Sequence, residues 1–151
     1  MNSEKRPNVI LILTDDQGYW SLGCNGNKEI RTPNIDRLAE NGVRMENFFC
    51  ASPVCSPARA SLLTGRIPSQ HGVHDWIRCG AGEVHGDARV EYLEGITGYT
   101  ERMVQNGYIC GISGKWHLGA TGHPQKGYSH WFVTLGGSGT YHDAEVYRGT
   151  E

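Results

Sequence analysis

A chain of 151 residues, 38% of them hydrophobic and 20% charged, has the length of one globular domain and enough apolar residues for a modest core. Its formal charge of −2 leaves no footprint of a nucleic-acid or membrane-surface binder, and no stretch is apolar for long enough to span a bilayer. The five cysteines include no Cys-x-x-Cys pair, which argues against a zinc ribbon or a thioredoxin-like site.

The first expected element is a strand over Asn8–Leu13, a short continuous apolar run rich in β-branched residues of the kind buried in parallel sheets. Asp15 and Asp16 follow at its carboxyl end, where α/β folds place ligands. Adjacent carboxylates repel, and a hard cation held by oxygen ligands keeps both ionised. The competing reading is a pair of solvated loop aspartates that cap the next helix. That helix is expected to start with Thr32 as cap and Pro33 at its first position, to carry Ile35, Leu38 and Ala39 on one face, and to stop at Gly42. A second strand is expected over Val43–Ala51.

The segment around Cys55 is the richest in chemistry. Proline is tolerated only in a helix's first turn, so Pro57 predicts a helix over Pro57–Thr64, with Ala58, Leu62 and Leu63 on one face and Gly65 as its stop. Cys55 then lies at or just before the N-terminus, where free N–H groups and the macrodipole favour an anion, and Arg59 one turn later can bring a cation to the same place. Free cysteine is also a common packing residue, so inert burial of Cys55 competes with a prepared nucleophile. The loop His71–Arg78 mixes aromatic, basic and imidazole groups that suit a sugar ring bearing an anion, although a packed surface loop explains it as well. A metal site at His71 and His74 is disfavoured because no third ligand is evident.

Next come a helix through Tyr99, Met103 and Val104, a break at Asn106-Gly107 and a strand over Tyr108–Ile112. On extended backbone Lys115 and His117 face the same side, a point charge beside a proton-moving group; an exposed Lys and a packed His at a strand end is the simpler alternative. Gly119 to Gly139 reads as loop, with Gly136-Gly137-Ser138-Gly139 at its tip and no strand–turn–helix setting for phosphate binding. His142-Asp143 sits in this glycine-rich tail and is assigned no role. Strands alternating with helices predict an α/β fold with a mostly parallel sheet.

These segments together resemble the type I sulfatases, the formylglycine-dependent branch of the alkaline phosphatase-like superfamily. The resemblance is carried by Cys55-Ser56-Pro57-Ala58-Arg59 with the trailing Leu63-Thr64-Gly65-Arg66, by Arg6 through Asp15-Asp16-Gln17-Gly18, by Thr32-Pro33-Asn34 through Gly42, and by Gly114-Lys115-Trp116-His117-Leu118-Gly119. It implies an alkaline phosphatase-like sulfatase fold and hydrolysis of a sulfate ester. It further implies that a formylglycine-generating maturation enzyme oxidises Cys55 to formylglycine, and that Asp15, Asp16 and the modified Cys55 bind calcium. By the same pattern Arg59 holds the hydrated aldehyde, Lys115 neutralises sulfate oxygens and His117 assists proton removal. The expected substrate is a sulfated small molecule or saccharide, with a carbohydrate sulfate favoured. The same superfamily leaves open a phosphonate or phosphodiester hydrolase, and a catalytically incomplete fragment or subunit.

The resemblance spans nearly the whole chain but corresponds to the N-terminal third or so of family members. Residues 1–151 are therefore expected to be the N-terminal portion of a sulfatase catalytic domain, with the C-terminal part absent. Two more metal ligands, a second His and a second Lys have no convincing counterpart here. With Cys55 set aside, Cys24, Cys50, Cys79 and Cys110 are compatible with free thiols or up to two disulfides. The run Val9–Leu13 is too short for the core of a signal peptide, so the chain as written is expected to be cytoplasmic, or periplasmic or secreted if a signal was removed.

Overall fold

A computed structural model describes residues 6–78, 90–137 and 141–150; Cys79 and the tip residues Ser138 and Gly139 lie outside the described residues. The chain divides into two units, Met1–Phe48 and Phe49–Glu151.

In the first unit, two short 3-10 turns at Tyr19–Ser21 and Gly23–Asn25 precede helix α1, Pro33–Asn41. Pro33 stands in the first turn as expected, but the Thr32 side chain makes no capping bond to the helix. Its hydroxyl instead accepts from the Gly23 N–H at 2.8 Å and donates to Asp36 Oδ1 at 3.0 Å, while the Cys24 N–H donates to the same carboxylate oxygen at 2.7 Å. The start of α1 is thus tied to the second 3-10 turn. The face built from Ile35 and Leu38 is exposed.

The expected strands at Asn8–Leu13 and Val43–Ala51 are not formed. Both segments lie outside any helix or strand, and Ile10, Ile12, Val43, Phe48 and Phe49 are all exposed. A β-branched apolar run specifies extended backbone that favours burial, but a strand exists only where another strand supplies its hydrogen bonds.

The second unit holds helices α2 (Cys55–Thr64), α3 (Pro68–His71) and α4 (Tyr99–Gln105) and strands β1 (Cys110–Lys115), β2 (Tyr128–Thr134) and β3 (Val146–Thr150). The sheet has the order β1-β2-β3; β1 pairs with β2 in parallel and β2 pairs with β3 antiparallel, so it is mixed. Strand β2 runs through the region expected to be loop. Its burial alternates only from Trp131 to Thr134; Tyr128 is also turned into the core, but the pairing with β1 shifts register between Tyr128 and His130, so the buried positions are three apart there.

Helix α2 begins two residues earlier than Pro57 and ends as expected. The Gly65 N–H donates to the Ser61 carbonyl at 2.8 Å with Gly65 at φ 66°, a left-handed stop that suits glycine. Its buried stripe is Ser56, Pro57, Ala60 and Leu63, whereas Leu62 is exposed. The buried face is rotated from the expected one, because a short helix with apolar residues at 62 and 63 offers two stripes and neighbouring elements select one.

The core gathers Ala60 and Leu63 of α2, Val73, Ile77 and Leu93 from the loops, Cys110 of β1, and Trp116, Leu118, Tyr128, Trp131 and Val133. At its centre, Trp116 meets Trp131 with ring centroids 5.1 Å apart, and Tyr128 lies 5.9 Å from Trp131. Burying three such rings removes on the order of 500 Å² from water, a gross transfer gain of about 12 kcal/mol set against chain ordering. The Trp131 indole N–H donates to the Thr121 carbonyl at 2.8 Å. Burial and the neighbouring Tyr99 push the Tyr128 phenol up.

Candidate active site

Cys55 is the first residue of α2, half-buried, with a free thiol. Ala58 N–H donates to the Val54 carbonyl at 3.0 Å and closes the first turn beneath it. Arg59 projects from the next turn, and its Nη1 donates to the Lys115 carbonyl at 2.7 Å. The guanidinium thereby joins α2 to the carboxyl end of β1.

Lys115 ends β1 half-buried, but His117 does not continue as strand. It adopts φ 57°, in the left-handed region, and is completely buried. The expected alternation of Lys115 and His117 on one extended face therefore fails: the backbone turns between them and drives the imidazole inward. Its Nε2 lies 2.8 Å from the Ile77 carbonyl, and its ring meets the Trp76 ring edge-on at 5.8 Å. The backbone of Gly137 comes so close that a Cβ there would overlap the His117 ring at Nε2. Gly119, at φ 91°, lets the chain pass against the Val90 carbonyl where a methyl group would collide, and the adjacent Ala120 N–H donates to that carbonyl at 2.9 Å.

His71 has a role different from those weighed for it. It is buried, its Nδ1 accepts from the Val73 N–H at 3.1 Å, and its Nε2 lies 2.9 Å from Ser61 Oγ. Because Nδ1 accepts, Nε2 carries the proton and donates to Ser61, so the neutral ring clamps α3 to α2. Burial first, and then His74, hold its pKa below 6.5, against a hydrogen bond within its own backbone. Both nitrogens are used, which leaves none for a metal. Half-exposed Trp76 and the Ile77 carbonyl are the parts of the 71–78 loop that touch His117.

Cys55, Arg59, Lys115 and His117 thus all belong to the second unit. Asp15 and Asp16 belong to the first, where both are exposed and Asp16 takes φ 54°. Among the described residues no group of three or more His, Cys, Asp or Glu side chains is arranged to hold a metal ion. Ser56 is a site residue that motif and spacing do not single out; a lone polar residue on the apolar stripe of α2 is the signal available.

The architecture is α/β of the alkaline phosphatase-like type seen in solved sulfatases. The family model for sulfatases matches residues 7–151, and the chain belongs to that family. Human steryl-sulfatase is 40% identical over 129 residues, which cover 85% of this chain and 22% of the relative; mouse N-acetylgalactosamine-6-sulfatase is 40% identical over 133 residues, covering 83% and 25%. Among solved structures, the crystal structure of Ps i-CgsB superposes with TM-score 0.77 at 37% identity, covering 91% of this chain and 30% of that one. A structure of BT4656 in complex with its substrate D-glucosamine-2-N,6-O-disulfate superposes at 0.76 with 30% identity, covering 97% and 27%. The chain spans about a quarter of the length of the curated relatives it matches.

Proposed function

We propose that this chain carries the nucleophile-bearing part of a sulfuric ester hydrolase that acts on a sulfated carbohydrate, with Cys55 converted to formylglycine by a maturation enzyme. The observation that carries the reading is the joining of α2 to the segment after β1: Arg59 holds the Lys115 backbone, and the Lys115 and His117 side chains follow from that same turn. The saccharide ligands of BT4656 and of Ps i-CgsB, the latter solved with k-i-k-neocarrahexaose, support the substrate class.

The donor chemistry of Asp15 and Asp16 fits calcium, since hard carboxylate oxygens suit a hard cation, yet two carboxylates and one modified residue fall short of six to eight oxygens. In the proposed site these two aspartates would hold the metal, which would supply a hard Lewis acid. A formylglycine hydrate supplies two hydroxyls on one carbon, which a thiol lacks. The protein's own groups do the rest. Lys115 places an ammonium against sulfate oxygens, and Arg59 keeps Lys115 and Cys55 in fixed relation. His117 moves a proton at Nδ1, because Nε2 is committed to the Ile77 carbonyl.

Intact mass and peptide mapping across Cys55, on protein co-expressed with a formylglycine-generating enzyme, test the proposal. Conversion removes one sulfur and two hydrogen atoms from the side chain and adds one oxygen. A thiol that survives conditions maturing a full-length sulfatase defeats the reading. For the parent enzyme, turnover of aryl phosphates or phosphonates in preference to sulfated sugars would overturn the substrate class.

A further inference from the structure

The backbone of Ile77 is held at both its N–H and its carbonyl, which belong to consecutive peptide groups. Its N–H donates to Ser56 Oγ at 3.1 Å, and its carbonyl lies 2.8 Å from His117 Nε2. Ser56 and His117 have no exposed surface, and Ile77 is 5% exposed. The carbonyl has no proton to give, so Nε2 carries the hydrogen, and of the two neutral tautomers only the one with its lone pair on Nδ1 makes this bond. We infer that Ser56 is a positioning residue for His117: through the Ile77 backbone, the residue next to Cys55 fixes the orientation and tautomer of the imidazole.

Three surroundings make the arrangement specific. The Trp76 ring stands edge-on to the imidazole, Gly137 closes the side near Nε2 where no Cβ fits, and the left-handed backbone at His117 directs the ring inward. The ring therefore has one hydrogen-bonded orientation toward the loop, and Ser56 sets where that loop carbonyl stands. A serine on the buried stripe of α2 would otherwise be a costly choice, since an unpaired buried hydroxyl is destabilising. The bond to Ile77 resolves that cost and couples the helix bearing the nucleophile to the proton-moving group. Its catalytic meaning rests on the function proposed above; the coupling itself is structural.

The test uses the whole 151-residue chain labelled with nitrogen-15, and reads the His117 tautomer from ring nitrogen shifts together with hydrogen exchange at His117 Nε2–H. His71 Nε2–H, which donates to Ser61 Oγ, is the internal control. The wild type should show the Nε2–H tautomer with slow exchange. Ser56→Ala should speed exchange at His117 Nε2–H and at the Ile77 amide by about tenfold, the effect of losing one hydrogen bond, with His71 unchanged. Ser56→Thr keeps the acceptor and should restore both rates. Gly137→Ala, whose Cβ would overlap the ring at Nε2, should disturb His117 while sparing the Ile77 amide. The inference is overturned if Ser56→Ala leaves His117 exchange as in the wild type, or accelerates His117 and His71 alike. None of these readouts depends on maturation of Cys55, so failure of the proposed function and failure of this coupling are separable.

Discussion

The two units contain similar apolar sequence and use it in opposite ways. In the second unit, Trp116, Trp131, Leu118 and Val133 are almost wholly excluded from water, and the residues that carry chemistry are anchored to that core. In the first, the run at residues 9–13 is wholly apolar and Val43, Met45 and Phe48 follow at residues 43–48, yet no described residue is buried. The difference shows that hydrophobic pattern is a demand for a partner. The second unit meets it internally, by returning β2 beside β1 and folding the 71–78 loop over α2.

The contrast can be broken at its extremes. Trp131→Ala should destabilise the protein by about 3–5 kcal/mol in chemical denaturation, whereas Ile10→Ala, at a site 85% exposed, should stay within about 0.5 kcal/mol. Equal effects would show that the first unit has a core of its own. Within α2, Leu63→Ala should cost about 2–4 kcal/mol and Leu62→Ala a small fraction of that, a direct reading of which stripe faces inward. Gly119→Ala should cost about 1–3 kcal/mol by thermal unfolding, because the added methyl meets the Val90 backbone; a neutral result would mean that the Val90 segment is not seated there.

The smallest effect concerns pH. All seven histidines fall after residue 70, so imidazole-linked stability belongs to the second unit. His71 has a folded pKa below its unfolded 6.5, so above that pH both states are neutral and the contribution is complete. As pH falls from 6.5 towards the lowered folded value, the unfolded chain takes up the proton first and stability is lost. Replacing His71 with Gln should flatten that part of the stability–pH curve. An unchanged slope would place the titration on another histidine.

Much of the site is legible in the sequence because its residues act at short range. Cys55 at a helix start, Gly65 as its stop and Pro33 in a first turn follow from local backbone rules that hold wherever the helix lies. The family motifs locate Cys55, Arg59, Lys115 and His117 together, and the second unit does contain all four. Inference from period to direction is what fails. Extended backbone would put Lys115 and His117 on one side, but a left-handed residue breaks the alternation. Helical spacing would bury Ala58, Leu62 and Leu63 as one face, but the stripe through Ser56, Ala60 and Leu63 is the one that packs. β2 escapes pattern reading because a register shift at its start sets the buried Tyr128 and Trp131 three residues apart, so period two holds only over its second half.

The sequence by itself determined the family, the glycine stop of α2 and the proline in the first turn of α1, since each rests on residue type and near-neighbour spacing. Only the tertiary structure decided that Arg59 holds the Lys115 backbone, that His71 is a clamp, and that Ser56 and His117 both bond to the Ile77 backbone. Those contacts join residues ten to fifty-six positions apart. A hydrogen bond depends on distance and direction in space, and no local periodicity carries that information.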